Sequence, residues 1–88
     1  MTTISLPERL TMSEASAVLA QLQPALATAA DTVVDASALR ELDTAAVAVL
    51  LACQRQAHAQ GRQLRLTGAP AKLKQLAQLY GVDGLLAL

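Results

Sequence analysis

Between Asp43 and Gly61 the chain carries the segment that most restricts its fold. A polar Asp43-Thr44 pair is followed by an uninterrupted apolar run over residues 45–53, then by Gln54, Arg55, Gln56, His58 and Gln60, and finally by a glycine. Short oxygen-bearing side chains are favoured at a helix start, where backbone N–H groups lack partners and the helix dipole is positive. Glycine at the far end supplies a left-handed cap. The pattern predicts a helix over residues 44–60. Its first half is apolar almost all round and must be buried, whereas its second half is polar and expected to run out into solvent. At 88 residues the chain has room for one core around such a helix and none for a cleft between domains.

The rest of the chain alternates strand and helix. Residues 2–6 read as a weak strand ended by Pro7, which cannot donate to a ladder and belongs at a sheet edge. Ser13 is placed to cap a helix whose inner face carries Val18, Leu19, Leu22 and Leu26, and Pro24 is expected to kink or end it near Gln23. Residues 32–36 form a short buried strand pattern, residues 37–42 a loop, and residues 63–67 an alternating strand. Gly68-Ala69-Pro70 turns the chain into a helix carrying Leu73, Leu76, Ala77 and Tyr80, stopped by Gly81, with residues 82–88 adding at most one more turn. This order predicts a single α/β domain over residues 1–88, with a mixed, mostly parallel sheet and packed helices.

Composition removes several classes of function. Seven acidic and seven basic residues cancel, and Tyr80 is the single aromatic residue, so neither the charge nor the stacking surface of a nucleic-acid binder is present. The nine-residue apolar run is far short of the roughly 20 residues that span a bilayer, so membrane association is expected only through a partner. The N-terminus shows no basic region followed by an apolar run, and with one cysteine no internal disulfide forms; both features suit the cytoplasm.

Catalytic machinery is sparse. His58 is the lone histidine, which excludes a histidine-based metal cluster, and Cys53 lies five residues before it. On a helix that spacing turns the two side chains about 140° apart, against a Cys-His nucleophile pair. The four glycines are scattered and make no phosphate-cradling loop. Asp35, Glu41 and Asp43 can gather at strand-end loops, where paired carboxylates serve acid/base chemistry or Mg²⁺, yet Thr44 is the only hydroxyl fixed beside them. The chain is therefore expected to be no enzyme and to need no metal or cofactor.

The run Val33-Val34-Asp35-Ala36-Ser37-Ala38-Leu39-Arg40-Glu41-Leu42-Asp43-Thr44-Ala45-Ala46-Val47 resembles the central signature of the STAS family, the sulfate-transporter and anti-sigma-antagonist domains. Gly61 through Gly68 and the Leu79-Tyr80-Gly81-Val82 run match as well, so the resemblance covers about residues 31–83. It implies two roles. Anti-sigma-factor antagonists are switched by a kinase that phosphorylates a hydroxyl just after the Asp, commonly at the second position of an Asp-Ser-Ser-Gly pattern. Here Ala45 and Ala46 fill the second-hydroxyl and glycine slots, leaving Thr44 as the acceptor-like hydroxyl. The favoured resemblance is to the small stand-alone STAS subunits of Mla-type ABC transporters, which share an Asp-Thr followed by small residues. It implies a subunit that binds the cytoplasmic ATPase of a phospholipid transporter maintaining outer-membrane lipid asymmetry, peripheral to the inner membrane through that complex.

Resemblance and physical reading meet at the helix start. Thr44 and Asp43 are expected to form a docking site, with Ala45, Ala46 and Val49 supplying apolar contact around one tuning hydroxyl. The leading strand region is short, so the sheet edge is expected either to be truncated or to be completed by a partner.

Overall fold

A computed structural model describes residues 2–28 and 31–86. The chain runs through β1 (Thr2–Ser5), β2 (Arg9–Leu10), α1 (Ala15–Thr28), β3 (Thr32–Asp35), β4 (Glu41–Leu42), α2 (Thr44–Ala59), β5 (Leu64–Thr67), α3 (Ala71–Leu79) and α4 (Asp83–Leu86). Residues 87–88 of the expected C-terminal turn lie outside the described residues. The main sheet has the order β1-β3-β5, and a two-stranded ribbon pairs β2 with β4. Every pairing among the described strands is parallel, with Thr2 opposite Thr32 and Thr32 opposite Leu64.

The core is built on aliphatic side chains because the sequence offers almost nothing else. Leu50, Leu10, Leu6, Leu73, Val34 and Cys53 are its largest fully enclosed members. The apolar half of α2 sits at the centre, with Ala46, Val47, Val49, Leu50 and Cys53 all buried as the hydrophobic run requires. Its start and its Gly61 stop, at φ 68°, fall where the sequence places them.

Four local expectations are corrected. The cap of α1 is not Ser13: Thr11 donates from its backbone N–H (3.0 Å) and its hydroxyl (2.6 Å) to Glu14 Oε1. This is a Ser/Thr-x-x-Glu capping arrangement two positions earlier, and it organises the turn that leads into the helix. Pro24 neither ends nor divides α1, which continues to Thr28. Leu22 and Leu26 bury the inner face on both sides of the exposed proline. Partners from outside the helix reach its C-terminal half: Gln56 Nε2 donates to Gln23 O at 3.3 Å, and Arg62 Nη1 to the last-turn carbonyls of Leu26 and Ala27 at 3.2 and 3.0 Å. A cation at a helix C-terminus also opposes the negative end of the dipole. The third correction follows from the same contacts. Gln56 is half-buried against α1 and Gln54 against α4, where its Nε2 donates to Leu85 O at 3.1 Å; Arg55, His58 and Gln60 are the members of that group that are exposed. Finally, the loop before α2 contains strand β4, whose pairing with β2 brings Leu10 beside Leu42 in the core.

Candidate functional site at the start of the central helix

Asp43 is the N-cap of α2. Its backbone is extended (φ −136°, ψ −164°), and its Oδ1 accepts from Ala45 N–H at 2.8 Å. The second carboxylate oxygen is equally occupied, because Oδ2 accepts from Met12 N–H at 3.1 Å. One side chain therefore starts the central helix and fastens to it the turn that precedes α1. The Asp43 carboxylate is engaged by the fold itself.

Thr44, by contrast, is the first helical residue and is exposed; among the described residues no hydrogen-bond partner engages its hydroxyl. A helix start presents further N–H groups and positive potential there, so the hydroxyl is available to a partner or a phosphoryl donor. Ala45 is half-buried at the rim. Ala46 is corrected: at 0% exposure it packs wholly into the core and offers no surface to a partner. Val49 is 4% exposed and contributes only to the floor of a shallow depression of about 220 Å³ between α1 and α2, lined also by Ala15, Ser16, Leu19, Ala45 and Ala48. The reason is helical geometry: residues 46, 49, 50 and 53 share the inward face, whereas 44, 45 and 48 border the outward one.

Met12 completes this end of the molecule and was not anticipated from the sequence. It is 77% exposed, the most exposed large hydrophobic residue described. The Thr11-x-x-Glu14 spacing is the signal that could have revealed it, since a cap at Thr11 makes Met12 the first residue of the leading turn. Around it Arg9 bridges the part-buried Glu14 at 3.3 Å and the exposed Glu41 at 3.5 Å; Arg9 itself is mostly in water, so these pairs orient more than they stabilise. Glu14 titrates below its ordinary value because the Thr11 hydroxyl and N–H both donate to it, with Arg9 adding a smaller contribution.

The three loop carboxylates do not gather into an acid/base or metal site. Asp35 accepts from Ser37 N–H at 2.9 Å, which lowers its pKa; Glu41 faces Arg9; Asp43 caps α2. Among the described residues no group of three His, Cys, Asp or Glu side chains is placed to hold a metal ion. Cys53 is enclosed in the core, and burial pushes its thiol up to about 11, far from a reactive thiolate at neutral pH. No helix among the described residues is long and apolar enough to cross a membrane. A wider open groove of about 600 Å³ lies at the other end of α2, lined by Leu51, Gln54, Arg55, His58, Gly84 and Leu85.

Known structures share this architecture. An anti-sigma-factor antagonist (STAS) domain protein from Planctomyces limnophilus superposes with a TM-score of 0.81 at 16% identity, over 94% of this chain and 76% of that one. The anti-sigma factor antagonist SpoIIAA in its unphosphorylated form gives 0.79 at 17% identity, over 96% of this chain and 76% of that one. The Bacillus cell fate determinant SpoIIAA in the phosphorylated form gives 0.75 at 17% identity, over 96% and 78%. At such identities the likeness establishes the fold and nothing finer. No curated protein matches the sequence. A family model described as "Mlab, STAS domain" matches residues 1–87, and the chain therefore belongs to the MlaB-type STAS domain family.

Proposed function

We propose that the chain, as one STAS domain over residues 1–88, is a non-catalytic subunit that binds the cytoplasmic ATPase of an Mla-type phospholipid-transport ABC complex. It regulates or stabilises that ATPase and thereby supports outer-membrane lipid asymmetry. The observation that carries this reading is the division of labour at the start of α2: Asp43 does the capping, which leaves the exposed Thr44 hydroxyl with no structural duty. The match to the MlaB-type family model supports the choice of partner. In this reading the domain works in the cytoplasm and reaches the inner membrane only through the complex.

Docking is centred on Thr44 and Ala45, with Asp43 holding the helix start in place. The hydroxyl contributes on the order of 1 kcal/mol, enough to tune an interface and too little to create one. A second reading, an anti-sigma-factor antagonist switched by a kinase, is favoured by one observation: Thr44 presents an exposed hydroxyl at a helix N-terminus, where a phosphate of about two negative charges beside Asp43 would oppose docking.

ATP turnover by the transporter, reconstituted with the wild-type domain, with Thr44→Glu or without the domain, tests the proposal. Thr44→Glu is expected to abolish the domain's effect, because it places a charge and a longer chain at a surface fitted to a short hydroxyl. Identical turnover in all three overturns the regulatory role, and turnover by the domain alone overturns its non-catalytic character.

A further inference from the structure

The groove at the far end of α2 changes character along its length. Leu51, Gln54, Arg55 and His58 recur at spacings of three and four, so they share one face of the helix. α4 supplies the opposite wall through Gly84 and Leu85. Leu51 and the exposed Leu85 give apolar surface, whereas Arg55 and His58 bring a guanidinium and an imidazole to the end nearer Gly61. Arg55 has no ion-pair partner among the described residues, and Asp83 does not line the groove. The negative helix end there is already muted, because Gln60 and Arg62 N–H donate to Ala57 O and Gly61 N–H donates to His58 O.

Two details of the groove run against stability. Gly84 lies within α4, where glycine is worse than alanine, yet a Cβ there would meet nothing within 4 Å. Packing gives no reason for a glycine, and a larger side chain at this lining position narrows the groove. Gln54 donates its Nε2 to Leu85 O at 3.1 Å, while its Oε1 is enclosed with no hydrogen-bond partner among the described residues. A buried acceptor left unmade costs at least as much as such a bond contributes. The α4 wall is therefore weakly latched and can yield to a guest. Size selects the kind of guest. From Leu51 to His58 the helix rises only about 10 Å, too little for the roughly 800 Å² that each side of a stable protein interface buries. A volume of about 600 Å³ is instead that of a small-molecule site.

We propose that this groove binds a small single-chain amphipathic anion, a medium-chain carboxylate, with its chain against Leu51 and Leu85 and its head on Arg55 and the His58 imidazole. The site lies at the opposite end of α2 from Thr44 and does not rest on the docking reading. The guanidinium fork matches a carboxylate and forms charge-assisted hydrogen bonds with it, which set the sign of the ligand's charge. The apolar chain leaves water against the two leucines, and Gly84 leaves it room.

The test titrates the full-length domain into dansyl-aminoundecanoate, an amphipathic carboxylate whose fluorescence rises in an apolar site. Decanoate, decanol and decyltrimethylammonium serve as competitors, all below their micellar concentrations. The expected result is one saturable site that decanoate empties far more effectively than the uncharged or cationic competitor. Arg55→Gln should weaken binding at least about tenfold. Gly84→Leu should abolish it with the melting temperature unchanged or raised, because the substitution fills the groove and removes a helical glycine. Leu79→Glu, at the exposed end of α3 and outside the groove, should bind as wild type. The proposal is overturned by an absence of saturable binding, by equal displacement with all three competitors, by wild-type affinity in Arg55→Gln or Gly84→Leu, or by a loss in Leu79→Glu. Binding confined to vesicles of anionic phospholipid and abolished by Leu79→Glu also overturns it, in favour of a membrane contact.

Discussion

Asp43 performs two tasks with two oxygen atoms, and a pair of substitutions separates them. Asp43→Ala removes the cap on Ala45 N–H and the tie to Met12 N–H together. Loss of an N-cap costs about 0.5–2 kcal/mol, and loss of the second, part-exposed hydrogen bond adds about 0.5–1.5 kcal/mol. The expected destabilisation is about 2 kcal/mol, which in a domain of this size lowers the melting temperature by about 8–16 °C. Asp43→Asn behaves differently. Its carbonyl oxygen caps as well as a carboxylate, but its amide nitrogen cannot accept from Met12, so only the tie and the charge are lost, about 1 kcal/mol. Urea unfolding followed by far-ultraviolet circular dichroism measures both, with two-state behaviour checked by thermal unfolding. Asp43→Ala within about 0.5 kcal/mol of wild type, or Asp43→Asn as damaging as Asp43→Ala, would refute the two-task account.

Thr44→Ala should leave stability within about 0.5 kcal/mol of wild type while weakening partner recovery, since the exposed hydroxyl has no hydrogen-bond partner among the described residues; equal recovery with a clear fall in melting temperature would return Thr44 to a structural role. Gly68→Ala should cost more than Gly61→Ala. Both glycines have positive φ, at about 1–2 kcal/mol for a side chain, but a Cβ at Gly68 meets Ser37 Cβ at 2.9 Å and Ser37 N at 3.0 Å, whereas that at Gly61 meets nothing; equal melting temperatures contradict this. Glu14 and Asp35 titrate below 4.5 and 3.8, so the unfolded chain takes up protons first as acid is added. Their contribution to stability is present above those values and is lost as pH falls through the lowered ones. Glu14→Gln should therefore flatten part of the acid limb of a melting-temperature profile, and a profile unchanged by the substitution counts against it. Native Cys53 should resist alkylation at neutral pH and react only on unfolding, as its burial and its raised pKa require.

The elements legible in the sequence were those whose pattern is internal to one segment. The helix of residues 44–59 announces itself by its cap, its apolar run and its glycine, and the alternation Leu64-Arg65-Leu66-Thr67 gives a strand whose two faces differ. What escaped depended on partners far along the chain. Two-residue strands carry no periodicity, so the β2–β4 ribbon is visible only once Arg9 and Glu41 are neighbours. Pro24 lies inside a helix that continues to Thr28, and residues 56 and 62, which no local rule contains, bond to carbonyls of its C-terminal half. At the site, Asp43 and Thr44 were legible as a helix start, but which of them caps and which stays open was decided by three-dimensional geometry. The inward turn of Ala46 follows from the helical period once the start is fixed, so its misplacement on the surface came from counting neighbours in sequence instead of faces.

The all-parallel sheet also dictates the order in which the chain can become a protein. Each strand of the β1-β3-β5 sheet finds its neighbour about thirty residues away, so no pairing is secured by a tight turn and every one requires a large loop to close first. β3 is the hub, with β1 bonded along one side and β5 along the other. During synthesis β1 and β3 can meet only with α1 already between them, and the far side of β3 stays open until Thr67 has emerged. Helices α1 and α2 are therefore synthesised before the sheet can be completed, and β3 gains its second strand neighbour only with β5. A destabilising change in β5 should lengthen the time for which the edge of β3 is bare, the interval in which such a chain is most exposed to aggregation.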